Sequence, residues 1–186
     1  HFCDDDVVVA RFGEAPHPAL DLVDHVGHNL NRLAQVRASS LLGDDAGVIG
    51  AATAAVKSHA KGKRLVLVNG VPASGKSHVA DALSKANGWP ILALDTIKAP
   101  FLRELPPGDR LFNRVLGRAS YAAMFDTIAE APDGTTFVMD AWFGFQPLAL
   151  LEDGLARTGA TSVAEVWCHA PPETIGQRYL SRVESR

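Results

Sequence analysis

Between an apolar run and an amphipathic stretch the chain carries Gly70-Val71-Pro72-Ala73-Ser74-Gly75-Lys76-Ser77, which satisfies G-x-x-x-x-G-K-[ST] in full. This octapeptide constrains the fold more than any other feature, because its chemistry works at the junction of a buried strand and a helix. Main-chain N–H groups must turn inward around a polyphosphate. Gly70 and Gly75 omit Cβ where chain and phosphate come close. A helix opening near Gly75 adds the positive end of its dipole. The flanks agree with this context. The strand expected over 65–69 is the continuous apolar run Leu65-Val66-Leu67-Val68 followed by Asn69, as a strand covered on both faces shows. After the loop, Val79, Leu83 and Ala86 fall on one helical face. By chance such a pattern arises in roughly one chain per hundred or fewer.

Strand and helix signals alternate through 64–186. Strands are expected at 65–69, 91–94, 137–139 and 162–168, and helices at 75–87, 96–103, 109–130 and 147–157. Pro171-Pro172 opens a last helix, since proline is tolerated in a first turn. This alternation implies an α/β fold: a P-loop NTPase parallel sheet with flanking helices. The block 1–57 reads as a small α/β fragment that packs beside that sheet and binds no nucleotide. Val7-Val8-Val9-Ala10 reads as a short strand, and Ala19, Val23, Val26, Leu30 and Leu33 as an amphipathic stripe. A turn over 43–47 leads to a small-residue helix over 48–56. Between the blocks, 58–63 is a polar, basic linker, open to reading as a solvated hinge or as a nucleic-acid patch.

The 186 residues are 47% hydrophobic and 21% charged, values of a soluble globular chain with one domain or one plus a fragment. A net charge of -3 supplies no global positive field for nucleic acid or an anionic membrane. Apolar runs stay strand-sized, far from the roughly 20 residues of a membrane helix. Cys3 and Cys168 lie too far apart in sequence for a CxxC pair, which suits a reducing, cytoplasmic interior. The start is acidic where a signal peptide is basic, and it lacks an initiator methionine, so the chain is expected to be part of a longer one. His25 and His28 alone make a poor zinc site.

Several residues carry candidate chemistry. Residues 70–77 and the adjacent His78 would line a nucleotide. Lys76 is a point charge for the β and γ phosphates, and Ser77 offers a hydroxyl to Mg²⁺. Asp140 closes the apolar strand Phe137-Val138-Met139, the Walker B pattern of a Mg²⁺ ligand; an Asx-turn or helix cap is the other reading. Asp95 follows the strand after the P-loop helix, where ligands sit in open α/β sheets. It can take the proton of an attacking hydroxyl or merely cap the next helix. Arg110, Arg114 and Arg118 repeat every four residues, with Arg103 upstream, as a ridge for an anionic acceptor or a plain surface. The other reading of His78 is that it faces outward on the helix, Trp142-Phe143-Gly144-Phe145 packs the core or walls an acceptor, and Cys168 reads as buried and inert.

Residues 64–186 resemble the small P-loop kinases of the zeta-toxin, chloramphenicol-phosphotransferase and polynucleotide-kinase type. The likeness rests on the loop 70–77, Leu94-Asp95-Thr96-Ile97-Lys98, the strand ending in Asp140, and Cys168-His169-Ala170-Pro171-Pro172-Glu173 leading to Arg178 and Arg182. It implies ATP and Mg²⁺ as cofactors, Asp95 as base or acceptor-positioning residue, and Lys98 near the acceptor. It also implies Arg178 and Arg182 in a lid over ATP, a solvated basic face being the other reading, and a further strand and helix after the lid, which 64–186 is expected to lack. Residues 36–56, with Gly43-Asp44-Asp45-Ala46-Gly47-Val48-Ile49-Gly50-Ala51-Ala52 at their centre, look like the C-terminal tail of ROK-type sugar kinases. The ROK ATP-binding glycines, catalytic Asp and Cys-rich zinc motif are absent from the sequence. The expected activity is phosphorylation of a hydroxyl on a small molecule, such as a sugar or antibiotic-like alcohol. The alternatives are a nucleotide-binding regulatory module and a polynucleotide 5′-kinase, the latter disfavoured by net charge.

Overall fold

The computed structural model describes residues 9–10, 37–40, 45–57, 62–145 and 147–184. The stripe expected over 19–33 and linker residues 58–61 lie outside these. In chain order the elements are β1 (Val9–Ala10), β2 (Arg37–Ser40), α1 (Asp45–Lys57), β3 (Lys63–Asn69), α2 (Lys76–Asn87), β4 (Ile91–Ala93) and α3 (Leu94–Glu104). Then follow α4 (Arg110–Glu130), β5 (Thr136–Asp140), a 3₁₀ turn (Phe143–Phe145), α5 (Leu148–Thr158), β6 (Ala160–Cys168) and α6 (Pro172–Glu184). The strands form one sheet in the order β1-β2-β6-β3-β5-β4, with every pairing parallel. No helix among the described residues is long and apolar enough to cross a membrane.

The continuous apolar run of β3 has a direct cause. Val66 and Val68 point to one face, where α1 and α2 bring Val48, Ala52, Val56, Val79 and Leu83. Leu65 and Leu67 point to the other, against Met124, Phe125 and Ile128 of α4 and Leu151 and Leu155 of α5. The buried face of α2 is Val79, Ala80 and Leu83, whereas Ala86 is exposed, contrary to the expected stripe. The last turn of α2 instead meets α1 through a bond from Asn87 Nδ2 to Thr53 Oγ1 at 3.0 Å.

Of the boundaries that differ from the sequence reading, two bear on side-chain roles. Leu94 opens α3 rather than closing β4, which puts Asp95 in a helical first turn, where an acid suits the dipole. Lys63 is the first residue of β3, not linker. Its ammonium donates to the carbonyls of Ala129 at 2.5 Å and Thr158 at 3.2 Å, at the C-terminal ends of α4 and α5. Arg64 likewise donates to the Gly134 carbonyl. These two cations tie down helix ends and a turn.

Candidate active site

The loop after β3 departs from ordinary backbone geometry at three points: φ is 146° at Gly70, 66° at Ala73 and 99° at Gly75. A Cβ on Gly70 would stand 2.4 Å from the Cys168 carbonyl oxygen and 2.7 Å from Ser74 Oγ, so only glycine fits. Ala73 accepts the left-handed conformation, which costs about 1–2 kcal/mol for an L-residue. The Ser74 amide bonds Val71 O at 3.2 Å, and Lys76 Nζ folds back onto the same carbonyl at 2.9 Å. Gly75 caps α2 and, having no side chain, makes no capping hydrogen bond of its own. Ser74 Oγ is buried with no partner. A tight loop, an uncapped helix start, an orphaned hydroxyl and an adjacent ammonium fit a polyphosphate.

Strand register brings the carboxylates to this loop. Asp140 lies opposite Val68 of β3 on one side and Ala93 of β4 on the other. Two residues beyond Val68 the loop begins at Gly70, and two residues beyond Ala93 stands Asp95. Parallel strands share one carboxyl edge, so elements distant in sequence meet there. Asp140 is buried, and burial raises its pKa. A hydrogen bond from Ser77 and the charge of Lys76 pull it down, while Asp95 and Asp81 push it up. A buried carboxylate beside a serine hydroxyl is a hard oxygen donor pair that fits Mg²⁺. Among the described residues there is no cluster of three or more His, Cys, Asp or Glu able to hold a metal.

From α6, Arg178 Nη1 donates to the Ala73 carbonyl at 3.4 Å and lies 3.9 Å from where a Gly75 Cβ would be. The helix thus leans over the phosphate loop. Arg182 belongs to the same helix, and its side chain lies outside the described set. Lys98 is half-buried one turn beyond Asp95 on α3, and Arg103 is exposed in the last turn of that helix. Arg118 is exposed on α4 and lines a cleft with Tyr121. His78 is exposed on α2, and Asp95 does not cap α3, whose N-cap is Ala93.

Three residues that sequence reasoning passed over organise the site. Tyr121 on α4 is buried and donates to the Trp142 carbonyl at 2.9 Å. Burial raises its pKa far above the usual phenol, and the charges of Asp95 and Asp140 raise it further. Asn69 and Glu165 form a buried pair, with Asn69 Nδ2 donating to Glu165 Oε1 at 2.7 Å. Asn69 Oδ1 accepts from the amides of Gly70 at 2.8 Å and Phe143 at 3.0 Å. One amide side chain therefore ties the loop entry, the turn after Asp140 and β6 together. The available signal was a single acid, Glu165, inside the apolar run Val163-Ala164-Glu165-Val166.

This strand, loop and helix, with its flanking acid and arginine, define a P-loop nucleotide-binding α/β fold. A family model described as an AAA domain (AAA_33) matches residues 65–186, more than half of the chain. The chain belongs to that family. Among solved structures, a candidate kinase from Chloroflexus aurantiacus J-10-fl is similar, with a TM-score of 0.57 and 22% identity, covering 68% of this chain and 70% of that one. An unliganded sugar kinase from Janibacter sp. HTCC2649 matches with a TM-score of 0.39 and 26% identity, covering 64% of this chain and 66% of that one. No curated protein sequence matches.

Proposed function

We propose that the chain is an ATP- and Mg²⁺-dependent phosphotransferase that phosphorylates a hydroxyl of a small molecule. The observation that carries this reading is the register around Asp140, which sets the phosphate loop on one side of it and Asp95 on the other. A module that only binds or senses nucleotide has no need of a second carboxylate beside the phosphate loop. The carboxylate of Asp95 is poorly suited to holding phosphate, because like charges repel, and well suited to taking a proton.

In the step proposed, the acceptor oxygen attacks the γ-phosphorus. Its proton passes to the Asp95 carboxylate, and the bond to the β–γ bridging oxygen breaks with its electron pair leaving on ADP. Residues 70–77 cradle the phosphates, Lys76 neutralises the β and γ oxygens, and Arg178 stabilises the charge that spreads over the moving group. Ser77 and Asp140 are the residues that would hold Mg²⁺, which supplies further charge compensation when bound. Lys98, Arg103, Arg118 and Arg182 are assigned to the acceptor and the lid. The narrower likeness to zeta-toxin and chloramphenicol-phosphotransferase kinases rests on Asp95, Lys98 and Arg178. That of 36–56 to a ROK sugar-kinase tail rests on its glycines and aspartates alone.

Titration calorimetry with ATP·Mg²⁺ and an ADP-release assay over small alcohols test this together. Lys76→Ala is expected to weaken nucleotide binding at least tenfold, the worth of about 1.5–3 kcal/mol for a hydrogen bond to a charged group. Asp95→Asn keeps size but cannot take a proton. It is expected to lower turnover about 10²–10⁴-fold with nucleotide affinity unchanged. Parent-like turnover in Asp95→Asn would place the base elsewhere.

A further inference from the structure

A second concavity lies beside the turn that follows Asp140. Between α4, α5 and the 3₁₀ turn lies an open cleft whose interior amounts to about 70 Å³. Its floor is Phe125, Phe143 and Leu151, all buried. Tyr121 lines it, with its ring centroid 5.9 Å from that of Phe143 and the two rings tilted by 53°. Tyr121 donates to the carbonyl of Trp142, two residues past Asp140, and the Phe143 amide bonds the same Asn69 Oδ1 that holds the Gly70 amide, so the cleft borders the reacting end of the site.

The lining sorts possible occupants by chemistry. The Tyr121 hydroxyl is committed to the Trp142 carbonyl, so it gives no hydrogen bond to a guest. Its phenol stays protonated and puts no negative charge in the wall. A polyol would leave several hydroxyls without partners against Phe125, Phe143 and Leu151, which is costly. A flat apolar or aromatic body would bury its surface there and meet ring edges at favourable angles. Two cations stand at the rim, and they are not equivalent. Arg157 is paired with Asp126 at 3.0 Å. Arg118 has no ion pair among the described residues, so its charge is open to an anion.

We propose that this cleft is the acceptor subsite, and that it takes an aromatic or similarly flat apolar alcohol bearing an anionic group that pairs with Arg118. The inference rests on the phosphotransferase reading and narrows its acceptor away from sugars. The acceptor's ring fills the cleft, its anion meets Arg118, and its hydroxyl reaches toward Asp95.

The test uses the full chain and two fluorescent probes, anilinonaphthalene sulfonate and its uncharged counterpart phenylnaphthylamine, with a fluorescent ATP analogue as an independent readout. Both probes are expected to bind at one site. Ala122→Trp, which fills the cleft, should weaken both at least tenfold and leave the ATP analogue unaffected. Arg118→Gln should weaken the sulfonate several-fold and leave the neutral probe unchanged. Leu150 is half-exposed at the mouth and tolerates change, so Leu150→Glu repeats the test if Ala122→Trp fails to fold, and it should repel the sulfonate. Probe binding insensitive to Ala122→Trp and Leu150→Glu overturns the cleft assignment. In the ADP-release assay, aromatic hydroxy acids are expected to act as acceptors and neutral sugars not. Sugar-driven release unaffected by Ala122→Trp would sink the subsite but leave the phosphotransferase intact. No release with any acceptor, together with nucleotide binding indifferent to Lys76→Ala, would sink the underlying reading instead.

Discussion

Asp140 is held where an ionised carboxylate is least at home. Burial raises its pKa, Asp95 and Asp81 add to the rise, and Ser77 and Lys76 compensate in part. Between its unfolded value and its raised folded value, the folded state binds more protons than the unfolded one. Stability therefore falls as pH rises through that window, and the loss is complete above it. Asparagine keeps the size and an acceptor for Ser77 but carries no charge. Without nucleotide or Mg²⁺, Asp140→Asn is expected to melt above the parent at pH 8, with the gain vanishing as pH falls to the ordinary aspartate range. Added Mg²⁺·ATP should stabilise the parent more than the variant. Calorimetric scans at several pH values decide this, and a variant that melts lower at pH 8 contradicts it. At this scale the sequence was legible where chemistry is imposed by covalent spacing, as in residues 70–77. It was silent where partners are far apart. Asn69 finds Glu165 ninety-six positions away and Phe143 seventy-four away, and neither meeting leaves a periodic signal.

Among the elements, α4 and α5 meet where Gly154 faces Phe125. A Cβ on Gly154 would lie 2.2 Å from the ring of that buried side chain. Gly117 of α4 faces open space. The two glycines therefore separate packing from helix propensity. Gly117→Ala is expected to raise stability by up to about 1 kcal/mol through propensity alone. Gly154→Ala gains the same propensity but forces the interface apart, and overpacking costs about 1–3 kcal/mol. Its melting temperature should fall below the parent's, by roughly 2–4 °C for each kcal/mol lost. If both variants melt higher, the tight contact is not a constraint. Helix α3 presents the opposite case. It has no buried residue, holds Pro100 inside it, and exposes Phe101 and Leu102. The helix that carries Asp95 and Lys98 is thus tied to the core only through the half-buried Leu94 and Ile97. Its position was readable, and its start was not: the apolar Leu94 reads as strand in sequence but opens the helix in three dimensions.

At the scale of the whole molecule, the two compositional blocks share one sheet. β6 is paired on one side by β3 and on the other by β2, so its edges are satisfied from both blocks. Helix α1 covers the same sheet face as α2, with Val48, Ala52 and Val56 at most 1% exposed against Val66, Val68 and Val166. The change in composition near residue 57 suggested a hinge, because a short basic segment looks the same whether it joins two bodies or two elements of one. Long-range parallel pairing decides between these, and no local pattern encodes it. Cooperativity provides the test. All three tryptophans, Trp89, Trp142 and Trp167, lie in the second block, so their fluorescence would follow that block alone if the first folded apart from it. Val56 lies in the first block. Val56→Ala removes two methyl groups at a fully buried position, a loss of about 2 kcal/mol with the cavity included. If α1 belongs to the core of the P-loop sheet, the tryptophan-detected urea midpoint must move down with an unchanged slope, in step with the circular dichroism. If the first block folds apart, circular dichroism would show two transitions and the tryptophan midpoint would stay at the parent value.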